Sequence, residues 1–179
     1  MLRIMRSSLT ALSLPATLTL REGVDVRDSP NLTTLVVPAT TLGLISISNA
    51  PQLATVRFDN LTSVTSTPLG DGTVSLANIG AAALSFPQLT SVANALLVKD
   101  TALTSLDGFA ALTSVGYVEI QRNPELAALG LGAVTSMTTI ETNRITDNPM
   151  LPTCQATALR NRVARTFSIS GNNDAATCP

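Results

Sequence analysis

Histidine and tryptophan are absent from this 179-residue chain, tyrosine occurs once, phenylalanine four times and cysteine twice. Without histidine the commonest general base and metal ligand is gone. No Cys/His metal spacing, Gly-rich phosphate loop or Gly-x-Ser-x-Gly turn takes its place. Aromatics make up 3% of residues, so a core has to be built from many small aliphatic side chains. Charge is also scarce, at 13%, with a net charge of -1 and a pI near 5.3. A nucleic-acid partner is excluded on that ground, since such proteins present a basic footprint. No stretch approaches the roughly 20 uninterrupted apolar residues that cross a bilayer as a helix.

What remains is 45% apolar and rich in Ser, Thr, Leu and Ala, ample for one continuous core. The opening, MLRIMRSSLTALSLPATLTL, outlines a signal peptide, with two arginines before a mildly apolar run. It is loaded with Ser, Thr and Pro and lacks an Ala-x-Ala-like exit, and it fits a repeat better.

Residues 120–126 read IQRNPEL and residues 145–151 read ITDNPML. With Ile120 as anchor, equivalents follow at Ile4, Val26, Ile47, Leu76, Val98, Ile145 and Ile169, spaced by 21 to 29 residues. A second apolar position comes five or six residues on, at Leu9, Leu32, Leu53, Ala81, Leu103, Leu126 and Leu151. A third is held by Leu12, Leu35, Val56, Leu84, Leu106, Leu129 and Cys154, and a fourth by Leu14, Val37, Phe58, Phe86, Phe109 and Leu131. Leu61, Leu89, Leu112 and Val134, then Val64, Val92, Val115 and Met137, complete the unit. The anchors lie in short apolar-polar alternations (VDV, ISI, VSL, VEI, SIS), each read as a strand of about three to five residues. Such a unit cannot bury its inner face alone and has to stack into a solenoid. Pro30, Pro51, Pro124 and Pro149, four residues past their anchors, mark a corner, and Asn123 and Asn148 are read as turn residues there.

The chain ends differently. Pro152-Thr153 starts a helix that places Ala156, Leu159 and Val163 on one face, and a strand returns at Phe167 to Ile169. The expectation is a mainly β solenoid of about seven coils over residues 1–151, with a helix-plus-strand cap over 152–179. Cys154 and Cys178 flank that cap, which suggests a disulfide and an oxidising compartment; two buried thiols are the alternative.

Coils of the form NPEL..L......LTSVG.VEI..NP resemble the receptor L-domain family, and the ending NPMLPTCQATALRNRV…SISGNNDAATC is similar to the cap of its bacterial secreted or lipoprotein members. The resemblance covers residues 2–178, best in 96–178 and poorest in 66–83. It implies a right-handed, leucine-rich-repeat-like β-helix and a non-catalytic, exported or envelope-attached recognition or adhesion module. The start lacks the export signal and capping segment of a complete member, which leaves open a fragment or a misplaced Met.

The expected partner is a protein or glycan, with no cofactor and no metal. A structural spacer is the alternative. A β-helix polysaccharide-active enzyme is a minor one, because the strand-flanking positions alternate acid and base without a carboxylate cluster. The central coils supply the one compact group of long outward side chains, Lys99, Glu119 and Gln121, with Leu97 exposed beside them. The 29-residue spacing before Leu76 holds an inserted loop around Pro68 and Asp71. These six residues are the candidate partner site. Arg160, Arg162 and Arg165 complement the dipole of the cap helix. Asn31-Leu32-Thr33 and Asn60-Leu61-Thr62 match the glycosylation sequon, which matters only in a eukaryotic secretory pathway.

Overall fold

A computed structural model describes residues 1–18, 20–80 and 83–178. Eight parallel strands stack in chain order: β1 (Leu2–Met5), β2 (Val24–Arg27), β3 (Leu44–Ala50), β4 (Thr73–Ile79), β5 (Ser91–Lys99), β6 (Ser114–Gln121), β7 (Asn143–Thr146) and β8 (Phe167–Ser170). All eight anchors lie in register, from Ile4 opposite Val26 through Val98 opposite Ile120 to Ile145 opposite Ile169. The chain is a β-solenoid of about eight turns, one more than expected because β8 completes a rung beyond the helix.

The central strands are seven to nine residues long, longer than the alternations alone indicate. In β5 and β6 the Ser-Val pairs 91–92 and 114–115 join the ladder too, so each strand begins before its anchor segment. On the opposite side Ala11–Ser13, Thr34–Val36, Thr55–Arg57 and Ala83–Ser85 form a second parallel sheet. The next coil replaces it with a 3-10 turn at Asp107–Phe109, and the cap with helix α1 (Thr153–Val163).

Between the two sides runs one apolar cluster reaching from Ile4 to Leu159. Phe58, Phe86 and Phe109 stack on successive coils, with ring centroids 5.1 and 4.6 Å apart. Each such ring or leucine stabilises the fold by roughly 1.5–3 kcal/mol through burial. Leu9 departs from the expected inward pattern: it is exposed, having a neighbouring coil on one side only. The repeat position assigned to Ala81 lies outside the described residues.

Two devices turn the corner after each anchor. The second residue past every anchor has a positive φ: Arg6, Asp28, Asn49, Asn78, Asp100, Arg122, Asp147 and Gly171. Asn, Asp and Gly enter this left-handed region at least cost, and they fill six of the eight places. At one exception, Arg122, the guanidinium is held by Asp100 of the coil before in two bonds of 2.7 and 2.8 Å.

The third residue past the anchor points inward and stacks. It is Ser7 and the buried Ser29 in the first two coils, Ala50 and Ile79 in the next two, then Thr101, Asn123, Asn148 and Asn172. Asn123 donates to Asn148 Oδ1 at 2.9 Å, and Asn148 donates to Asn172 Oδ1 at 3.1 Å. Their amides also reach the carbonyls of Val98, Ile120 and Ile145 at 2.8–3.1 Å. Asn123 and Asn148 are fully buried. They are turn residues, as expected, but they act by joining coil to coil inside the core.

The cap closes the far end. Ala156 and Leu159 are buried and Val163 packs against them. Cys154 and Cys178 form a disulfide with Cα atoms 6.0 Å apart. Arg160 and Arg162 lie in the last turn of α1, as expected, whereas Arg165 lies beyond its end. Arg162 donates to the carbonyls of Leu131 and Val134, and Arg165 to that of Met137, so both satisfy the exposed edge of the last coil. No helix among the described residues is long and apolar enough to cross a membrane.

Candidate recognition surface

On the outer face of the main sheet, side chains on either side of each anchor form two columns, because residues alternate faces along a strand. Charges gather at two places. Asp25 is held by Arg27 at 2.7 Å and Arg3 at 3.7 Å, and its carboxylate is almost fully covered. Four coils further, Glu119 pairs with Lys99 on one side and with Arg144 on the other at 2.9 Å. Ser46, Ser48, Ser75 and Ala77 separate the two groups. The acid-base alternation thus makes ion pairs across coils. Among the described residues no group of three acidic or cysteine side chains is placed to hold a metal.

This geometry changes the reading of the sheet-face candidates. Lys99 and Glu119 are tied to each other, with Glu119 only 14% exposed. Gln121 lies opposite Lys99 and Thr146, half-buried. Leu97, expected to be exposed, is half-buried in the column between Ser75 and Glu119. These four form one partly exposed strip in which Lys99 and Glu119 are already paired with each other.

Pro68 and Asp71 are both exposed on the inserted loop, an antiparallel hairpin of Ser66–Thr67 with Gly70–Asp71. Its base is closed by Gly72 N donating to Gly43 O at 2.8 Å, and its tip by Leu69 N donating to Glu22 Oε2 at 3.3 Å. Gly70 packs so tightly on the Gly43 backbone that a Cβ there would collide with it. An open cleft of about 410 Å³ lies beside it, lined by Leu44 and residues 67–71.

The hairpin has company. In the coil before it, the chain passes directly from Leu42 to Ile45; between the paired positions Val64 and Val74 it detours through the hairpin. At the same corner β5 carries an irregularity between Val92 and Ala95, and the chain between Met137 and Asn143 again makes a longer path than its partner, Val115 to Val118. The first two insertions touch directly, and the third is linked to them through Gly116 of β6. Asn94 N donates to Gly72 O at 3.0 Å and its side chain to Thr73 Oγ1 at 3.2 Å. Gly116 approaches the Asn94 carbonyl too closely to carry a side chain. Thr139 donates through its amide and hydroxyl to Gly116 O at 3.2 and 3.1 Å. They form a ridge along the solenoid.

Tyr117, the only tyrosine, sits half-buried in this ridge. Burial pushes its phenol above the usual 10.0, with the carboxylates of Glu119, Glu141 and Asp71 adding to the effect and Arg144 opposing it. Asp71 of the hairpin and Glu141 of the last insertion are therefore both in the electrostatic field of one ring. The 29-residue spacing pointed to the hairpin, and the 25-residue spacing between Ile120 and Ile145 carried the same signal for residues 138–142. The irregularity near Asn94 left none, because Leu76 and Val98 keep the common spacing of 22. Asn31 and Asn60 both lie exposed in turns.

No known family, curated protein or solved structure matches the chain.

Proposed function

We propose that the protein is a non-catalytic recognition or adhesion module of the cell exterior or envelope, binding a protein or glycan at the ridge of insertions. The observation that carries this reading is the convergence of all three insertions, one tyrosine and two exposed aliphatic tips on one corner of an otherwise regular scaffold. Loops held by a rigid frame are where binding residues concentrate. The Cys154–Cys178 disulfide fits an oxidising compartment outside the cytoplasm. The coil phrases and cap that resemble the receptor L-domain family agree with export and recognition.

A structural spacer is the second reading, favoured by the stretch of Ser46, Ser48, Ser75 and Ala77 on the sheet face, which offers a partner little to grip. Binding to intact cells and to arrays of glycans and extracellular proteins separates the two. The parent protein is expected to bind, and a variant carrying Leu69→Ser, Tyr117→Ser and Ile140→Ser to lose binding while melting cooperatively. Absence of binding by the parent on every surface favours the spacer.

A further inference from the structure

The apolar tips and the unpaired charges of the ridge specify a ligand chemistry. Of the large hydrophobic side chains exposed among the described residues, two sit on the insertions: Leu69 at 62% exposure on the hairpin and Ile140 at 96% on the loop after Met137. A side chain that is almost wholly in water stabilises nothing in the chain that carries it, and surface leucines and isoleucines gain free energy when a partner covers them.

Each tip has a carboxylate close by in the chain, Asp71 two residues after Leu69 and Glu141 next to Ile140. Neither Asp71 nor Glu141 has a salt-bridge partner among the described residues. The nearby cations, Lys99 and Arg144, are both taken up by Glu119. The ridge therefore presents acceptor-only groups flanking aliphatic tips, with an aromatic ring between them whose face attracts cations. An anionic glycan is repelled by this pattern, and a neutral sugar leaves the carboxylates without counter-charge.

We infer that the ridge binds an extended polypeptide segment of a partner protein in which Lys or Arg residues alternate with aliphatic ones. This rests on the ridge being the recognition surface. The hairpin enters β4 and the last insertion enters β7, so the ridge spans three coil steps, roughly 14 Å at about 4.8 Å per parallel strand. A segment of about four or five extended residues covers that distance at about 3.3 Å per residue. Alternation puts the cations of such a segment on one side and the aliphatic residues on the other, matching carboxylates beside apolar tips.

The test uses the full chain on two arrays: decapeptides graded in Lys/Arg and aliphatic content, and neutral and sulfated glycans. Signal is expected only on peptides that combine both residue kinds, falling about tenfold when salt is raised from about 50 to about 300 mM. The double change Asp71→Lys with Glu141→Lys is expected to abolish it, as is Leu69→Ser with Ile140→Ser. Glu125→Lys, an exposed charge at a different corner, should leave it unchanged. Circular dichroism melts verify that each variant is folded; should either double variant fail, Ile140→Ser and Glu141→Lys are measured singly. Binding to glycans that is lost in the ridge variants overturns the ligand class while the ridge remains the recognition surface. Peptide binding that ignores the ridge variants overturns the site, and silence on both arrays overturns the site and the recognition reading together.

Discussion

The early and late coils of this solenoid share a backbone path but are held together differently. At the third position past the anchor, Ala50 and Ile79 join their coils by apolar contact. Asn123, Asn148 and Asn172 join theirs by amide bonds that also reach the anchor carbonyls. The last coil is sealed by α1, two arginines and a disulfide. The first coil leaves Met5, Leu9 and Leu18 exposed. Since coils in a solenoid contact mainly their neighbours, such local differences persist as differences in local stability. Hydrogen exchange should accordingly run fastest in β1 and slowest around β5 to β7.

The largest effect should come where the two halves share one device, the phenylalanine stack. Phe86→Asp places an unpaired carboxylate between Phe58 and Phe109 and should abolish cooperative unfolding in a thermal melt. The adjacent Ser85 is no neutral control, because its hydroxyl donates to Asp59 at 2.6 Å. Gln88, exposed in the following turn, is one, and Gln88→Asp should stay within about 0.5 kcal/mol.

A second pair of changes sharpens the contrast between the halves. Asn148→Leu keeps the volume but leaves the donors of Asn123 and the carbonyls of Ile120 and Thr146 without this partner, costing about 3 kcal/mol in chemical denaturation. Ile79→Leu at the equivalent early position removes no hydrogen bond and should cost less than about 1.5 kcal/mol. Equal costs would mean that the asparagine ladder contributes no more than packing.

Loss of the disulfide in a Cys154→Ser, Cys178→Ser double variant should cost up to about 3 kcal/mol on loop-entropy grounds. The loss should appear first as faster exchange in α1 and β8, with β1 to β4 unaffected.

The smallest effect is with pH. The Asp59 carboxyl is held below the usual 3.8 by hydrogen bonds from Ser85 and Arg57, and that of Asp100 by Arg122. Folded values lowered in this way contribute stability that is complete above the unfolded value and lost as pH falls through the folded one. Both groups are well exposed, so the loss is small. Asp100→Asn should flatten the fall in melting temperature between about pH 4 and about pH 2. Tyr117, raised, has the opposite sense: its contribution is present below the unfolded 10.0 and disappears as pH rises through the folded value.

The stacking was legible in the amino acids because burial in a solenoid imposes the same demand on every turn. An inward anchor must be aliphatic, and a corner tolerates Pro, Asn and Asp for backbone reasons that operate within a few residues. Eight anchors, the aromatic stack and the helical cap follow from such local demands, and so did the place of the cysteines. Other features depend on residues distant in the chain. Lys99 reads as a free long side chain until Glu119, one coil away, is seen to hold it. Asn123 reads as a turn residue alone until Asn148 and Val98 are found bonding its amide. Arg162 and Arg165 read as helix-end charges until the carbonyls of the preceding coil come within reach. The ridge could not be read from any one coil, because Asp71, Tyr117 and Glu141 become neighbours only when insertions at a common corner are stacked. Repetition along the chain determined the scaffold; adjacency between coils, which only folding creates, decided which side chains remain free to meet a partner.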